Sequence, residues 1–82
     1  WFFRTATGNE IDLILTKGNR KIAFEIKAST SPELTKGTYT ALNDLEIAEL
    51  FVVAMVPSSY YFKPNILIGN IRDAIQYAAK LD

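Results

Sequence analysis

The chain has 82 residues with no cysteine and no histidine, and its nine basic and nine acidic residues give a formal net charge of zero. This length suits one small domain, so residues 1–82 are assigned to a single domain. The composition excludes disulfides, thiolate zinc sites, imidazole ligands and a histidine general base. Any metal must therefore be held by oxygens, which favours magnesium, manganese or calcium. Zero net charge also argues mildly against strong nonspecific binding of nucleic acid.

The predicted strands are residues 1–5, 10–15, 21–27 and 49–56, followed by two short segments at 60–62 and 66–68. Pro64 interrupts the last two segments and indicates an edge position, because proline cannot donate a ladder hydrogen bond. A first helix is predicted to start with Ser31 as N-cap and Pro32 in its first turn, and a last helix with Asn70 as its cap. The resulting order is β-β-β-α-β-β-α, a mixed α/β sheet with a helical cover.

Both helices carry side chains at helical spacing, which predicts the face that each turns towards the sheet. In the first helix these are Leu34, Thr38, Ala41, Leu42 and Leu45. In the last helix they are Ile71, Ala74, Ile75 and Ala78.

The turn at Gly18-Asn19 sets the register of the predicted hairpin. Glycine suits the positive φ at the first central position of a type II′ turn, and closure at Lys17 and Arg20 then fixes every pair. One face becomes apolar, with the pairs Leu15–Ile22, Leu13–Phe24 and Ile11–Ile26. The other face pairs Thr16 with Lys21, Ile14 with Ala23, Asp12 with Glu25 and Glu10 with Lys27.

Asp12 and Glu25 stand opposite each other in this register, and two facing carboxylates repel. A divalent cation between them would remove that repulsion, since carboxylates are natural ligands of hard cations. Such a cation can polarise a phosphate oxygen, and Lys27, on the face of Glu25, could orient water or stabilise developing charge. The alternative is a solvent-facing side of the hairpin, with Glu10 and Lys27 as a surface ion pair worth about 0–1 kcal/mol.

Two further groups of side chains could bind nucleic acid. The basic cluster of Lys17, Arg20, Lys21 and Lys36 could contact phosphates, although a solvated turn is the commoner arrangement. Two aromatic runs could stack on bases, although core or interface packing is the commoner use of aromatics. These runs are Trp1-Phe2-Phe3 and Tyr60-Tyr61-Phe62.

The chain opens on Trp1 without an initiator methionine, which indicates a piece of a longer protein. Its aromatics predict an apolar surface covered by the rest of that protein or by an oligomeric partner. The longest apolar run, residues 50–57, is too short to cross a membrane, and no signal-peptide pattern opens the chain. We therefore expect a cytoplasmic protein with no membrane partner.

At Asp12 and at Glu25-Ile26-Lys27 the sequence resembles the PD-(D/E)XK nuclease superfamily, the restriction-endonuclease-like fold, in which one strand carries an acid and the next carries Glu-x-Lys. A narrower resemblance is to the C-terminal domain of unknown function of bacterial and archaeal AAA+-type ATPases. The strings that carry it are Phe2-Phe3-Arg4-Thr5, Gly8-Asn9-Glu10-Ile11-Asp12-Leu13 and Phe24-Glu25-Ile26-Lys27-Ala28-Ser29.

The resemblance implies magnesium or manganese ligation by Asp12 and Glu25, with the Ile26 carbonyl as a further ligand and a catalytic role for Lys27. The superfamily often adds an acid from a helix before the first strand; the chain is expected to lack that helix, and Glu10 is the candidate to stand in. DNA and the N-terminal ATPase region are the implied partners. Two functions stay open: a metal-dependent nuclease, or an inactive nuclease-like module for binding or assembly in the parent ATPase.

Overall fold

A computed structural model describes residues 2–3 and 11–80. Its strands are β1 (Phe2–Phe3), β2 (Leu13–Lys17), β3 (Arg20–Ile26), β4 (Glu49–Val53), β5 (Tyr60–Lys63) and β6 (Ile66–Gly69), and its helices are α1 (Lys36–Asp44) and α2 (Ile71–Ala79). The strands form one sheet in the order β1-β2-β3-β4-β6-β5. Neighbours β3, β4 and β6 run parallel, and the other pairs are antiparallel.

The mixed α/β architecture is confirmed, but the order contains one more strand than predicted. Pro64 lies in a turn between β5 and β6, which pair with each other as two separate antiparallel strands. Strand β5 is the edge strand that the proline predicts, whereas β6 lies between β4 and β5. Of the predicted first strand, residues 1, 4 and 5 lie outside the described residues.

The predicted hairpin is confirmed over the whole of β2. Gly18 has a φ of 60°, as the first central residue of a type II′ turn requires, and Lys17 pairs with Arg20. The register then continues unbroken to the pair of Leu13 with Phe24. The turn chemistry and the apolar pattern therefore specify the same pairing.

Beyond Leu13 the predicted register is wrong, because a β-bulge interrupts it. The amide of Asp12 donates to the carbonyl of Phe24 over 3.0 Å, so Asp12 and Leu13 both stand against one residue of β3. The ladder does not reach a pair between Asp12 and Glu25.

The bulge also shifts the alternation of side chains. Ile11 is buried in the same core cluster as Ile14, although a regular strand would place residues three apart on opposite faces. Ile26, the predicted partner of Ile11, is 64% exposed. The predicted pair Ile11–Ile26 is therefore wrong.

Apolar cores lie on both faces of the sheet, so the predicted polar face of the hairpin is wrong. Ile14 and Ala23 are buried on the side covered by α1, together with Val52. On the other side Phe51 stacks against Phe24 with ring centroids 5.8 Å apart, beneath α2. Neither helix within residues 11–80 has the length and the apolar content of a membrane span.

Helix α1 starts later than predicted, because its N-cap is Thr35 and not Ser31. The carbonyl of Ser29 accepts from the amide of Met55, which ties the preceding segment to the chain leaving β4. The predicted inward face is confirmed from Thr38 onwards: Thr38, Ala41 and Leu42 are buried, and Leu45 at the C-cap packs against the same core. Leu34 also packs there, but from the segment before the helix.

Helix α2 starts as predicted, since the side chain of Asn70 accepts from the amide of Asp73 over 2.9 Å. Its predicted apolar stripe is only partly right. Ala74 is buried, but Ile71 and Ile75 are 60% and 63% exposed. The face turned to the sheet is rotated towards Tyr77, which packs on Phe51.

Candidate functional site

The four residues singled out at the hairpin meet at one end of the sheet. Asp12 lies just before β2, Glu25 and Ile26 end β3, and Lys27 follows directly. This is the carboxyl end of the parallel strands, outside which open α/β sheets bind ligands.

Glu25 is almost wholly buried, with 2% of its surface exposed. Its Oε1 accepts a 2.8 Å hydrogen bond from the hydroxyl of Thr38, itself 0% exposed. Helix α1 therefore covers this carboxylate and supplies its hydrogen-bond donor, and the interpretation of a solvent-facing hairpin does not apply to Glu25.

The second carboxylate oxygen of Glu25 is only partly compensated. Its Oε2 lies 3.1 Å from the ammonium of Lys27, whose side chain is 21% exposed. The two atoms form an ion pair but not a well-aligned hydrogen bond, and no other donor in the described residues serves this oxygen. Buried polar atoms are nearly always paired, so Oε2 is the atom here with unused capacity for a ligand.

Asp12 closes the open end of the hairpin through its side chain. Its Oδ2 accepts from the amide of Ile26 over 2.8 Å. The Asp12 side chain therefore bonds an amide of β3 that a backbone carbonyl would bond in a regular ladder. An extended residue directs its N–H and C=O to the same side of the strand, so the Ile26 carbonyl also faces the Asp12 side.

The atoms that could ligate a metal ion at this site are all oxygens, and oxygen ligands are those that magnesium and manganese prefer. Within residues 11–80 no cluster of three or more metal-ligating side chains occurs. Two carboxylates and a carbonyl still suit magnesium, which usually keeps several waters and binds substrate phosphate. Glu10 and its predicted pairing with Lys27 lie outside the described residues.

The predicted basic cluster is largely engaged in internal contacts. Arg20 binds Glu49 through two hydrogen bonds of 2.8 and 2.9 Å, and Lys21 donates to the carbonyl of Leu45 at the end of α1. These contacts secure the turn end of the sheet, which weakens the phosphate interpretation of this cluster.

Glu49 is a residue that the sequence reasoning missed. The hydrogen bonds from Arg20 lower the pKa of its carboxyl, and a 3.1 Å bond from the Tyr77 hydroxyl acts in the same direction. Burial is the main cause that raises the pKa of Tyr77, with the charge of Glu49 adding to it. The pairing of β3 beside β4 brings these groups together, and only that long-range register could have revealed them.

The aromatic run of β5, Tyr60 to Phe62, is exposed along the sheet edge. The next residue, Lys63, places its ammonium 4.8 Å from the ring centre of Tyr39 on α1. The side chains of the other predicted run, at residues 1–3, lie outside what the structure describes.

The geometry is that of a mixed α/β domain with an acid–lysine site at the carboxyl end of its parallel strands. The chain belongs to the family described as domain of unknown function (DUF4143), whose profile matches residues 1–73. The expected membership of a family of unknown function is thus confirmed, and the wider superfamily stays a prediction.

Two curated relatives come from Mycobacterium bovis and Mycobacterium tuberculosis, and both are described as uncharacterized proteins. Each is 34% identical over 53 residues, which is 65% of this chain and 12% of the relative. The chain therefore matches a small part of much longer proteins. No solved structure matches the chain.

Proposed function

We propose that this domain is a PD-(D/E)XK-type module with a magnesium- or manganese-dependent phosphodiester-cleaving site, carried at the C-terminus of an AAA+-type ATPase. DNA is the proposed substrate. The observation that carries the proposal is the buried Oε2 of Glu25, which has no aligned hydrogen-bond donor and is paired with the charge of Lys27.

The topology around the site supports the proposal. An antiparallel hairpin is followed by a helix and then by a central strand parallel to β3. This arrangement brings Asp12, just before β2, beside the Glu-x-Lys sequence at the end of β3. A restriction-endonuclease-like core uses the same juxtaposition, and the carboxyl end of the sheet leaves it accessible to a ligand.

Asp12, Glu25 and the Ile26 carbonyl would hold the metal ion. When bound, the ion supplies a polarised phosphate oxygen and a more acidic water. Lys27 is held beside Glu25 by their 3.1 Å ion pair, where its positive charge can stabilise charge that develops on the phosphate. Glu10 is the accessory acid of this proposal.

The test combines a Mn²⁺ titration with a DNA cleavage assay on the full-length protein. Lys27→Ala should abolish cleavage, and Asp12→Asn should abolish it while keeping an acceptor for the Ile26 amide. Glu10→Ala should have a smaller effect. Asp44→Asn is the matched control, because Asp44 is an exposed carboxylate on α1 and should leave both binding and cleavage unchanged.

A second candidate is an inactive nuclease-like module used for binding or assembly. It is favoured because the polar groups at the site are already engaged within the protein. The Asp12 carboxylate accepts from the Ile26 amide, and Lys27 forms an ion pair with Glu25. Absence of Mn²⁺ binding in the wild type, with cleavage absent or equal in all variants, would establish this candidate over the nuclease.

A further inference from the structure

We propose that Thr38 is a positioning residue that makes Glu25 a one-oxygen metal ligand, and that it thereby favours Mg²⁺ and Mn²⁺ over Ca²⁺. The inference rests on the proposed metal site. It concerns a residue outside the Asp…Glu-x-Lys pattern, on a different element, which is linked to the site through its hydrogen bond to Glu25.

Thr38 is fixed from several directions. Its backbone amide donates to Oγ1 of Thr35, the N-cap of α1, over 3.3 Å. Its side chain is fully buried, and its β-branched form restricts χ1. The hydroxyl that donates to Oε1 of Glu25 over 2.8 Å is therefore held by the first turn of the helix.

This bond makes the two oxygens of Glu25 unequal. Oε1 is occupied by the Thr38 hydroxyl, while Oε2 has no aligned donor. Unless the bond from Thr38 breaks, a cation approaching Glu25 is consequently offered only Oε2, where it shares that oxygen with the Lys27 ammonium 3.1 Å away.

One-oxygen ligation suits some cations better than others. Ca²⁺ collects six to eight oxygens and often takes both oxygens of one carboxylate, whereas Mg²⁺ is smaller, keeps an octahedral shell and retains several waters. Holding Oε1 away from the metal therefore costs Ca²⁺ a ligand that Mg²⁺ or Mn²⁺ does not need. Hydrogen bonds of this outer kind orient ligands, and losing them typically weakens metal affinity about 10–100-fold.

The experiment measures Mn²⁺ binding by electron paramagnetic resonance, with Ca²⁺ as competitor, and counts only the binding that Glu25→Gln removes. Thr38→Val should weaken Mn²⁺ binding about tenfold and Ca²⁺ binding less, so that the Mn²⁺/Ca²⁺ preference falls. Thr38→Ser keeps the hydroxyl and should retain the wild-type preference. Thr40→Val is the matched control, since Thr40 is an exposed threonine of the same helix.

The outcomes separate this inference from the proposed function. If the wild type shows no Mn²⁺ binding that depends on Glu25, the proposed site fails and the role of Thr38 falls with it. If the wild type binds and Thr38→Val leaves the preference unchanged, or Thr38→Ser loses it, the role of Thr38 alone is overturned. Circular dichroism checks folding, and Thr38→Ala replaces the valine variant if that variant does not fold.

Discussion

Replacing Glu25 and Thr38 together by leucine and valine should stabilise the fold, although Thr38→Val alone should destabilise it. The Thr38 hydroxyl donates a buried 2.8 Å hydrogen bond to Oε1 of Glu25, and the other oxygen of Glu25 has no aligned donor. If the role of Glu25 is to bind a ligand, its buried carboxylate lowers the stability of the fold relative to an apolar side chain at the same position.

The magnitudes follow from what each change leaves behind. Thr38→Val removes a hydrogen bond to a charged group and leaves Oε1 of Glu25 buried without its donor, at a cost of about 1.5–3 kcal/mol. The double change removes both polar groups, and such apolar replacements of buried charges are neutral or stabilising by about 1–4 kcal/mol. Lys27 loses the Glu25 carboxylate but keeps access to water through its 21% exposed side chain. Thr38→Val should therefore cost less in the Glu25→Leu background, where no buried carboxylate is left without its donor, than in the wild type.

Urea unfolding of the four members of this cycle measures the effect. With a slope of about 1 kcal/mol per molar urea for a small domain, Thr38→Val should lower the midpoint by about 1.5–3 M, and the double variant should match or exceed the wild type. A double variant that is destabilised by more than about 1 kcal/mol would refute the reasoning, because Glu25 would then be a structural residue.

Four further changes test the packing and the charges. In thermal melts, Gly69→Ala should destabilise by about 1–3 kcal/mol, because its Cβ would clash with Oγ of Ser59 and lie 2.9 Å from Cζ of Phe51. In the same melts Gly37→Ala, at an exposed position of α1, should stabilise by about 0.5–1 kcal/mol. Glu46→Gly should stabilise by about 0.5–1 kcal/mol in urea unfolding, since Glu46 follows α1 with a left-handed φ of 56°. Glu49→Gln should flatten the loss of stability on acidification: the folded pKa of Glu49 is lowered, so its contribution is present above the ordinary glutamate pKa and disappears as pH falls through the folded pKa. If Glu49→Gln and the wild type lose stability equally as the pH falls, the lowered pKa of Glu49 does not contribute to the stability of the fold.

The hairpin was predictable because two local signals agree on it. Gly18 accepts the positive φ of the turn, and the alternating apolar residues select the same register down to Leu13 and Phe24. The cap of α2 was predictable for a similar reason, since Asn70 and the amide of Asp73 are three residues apart. Interactions within a few residues leave a trace in the sequence.

The rest of the site depends on contacts between distant residues. Nothing local marks the bulge that joins the Asp12 amide to the Phe24 carbonyl, and it changes which face Ile11 occupies. The burial of Glu25 depends on where Thr38 lies on a later helix. The sequence therefore predicts which residues meet at the end of β3, but not that one of them is covered.

The two ends of β3 have different roles. At its start Arg20 pairs with Glu49, whose carboxylate also accepts from Tyr77 of α2, so hairpin, central strand and last helix are tied together where the strands begin. At its end Glu25 keeps a buried oxygen without an aligned donor. Stabilising contacts at one end let the domain tolerate an incompletely satisfied carboxylate at the other, as proteins commonly do at functional sites.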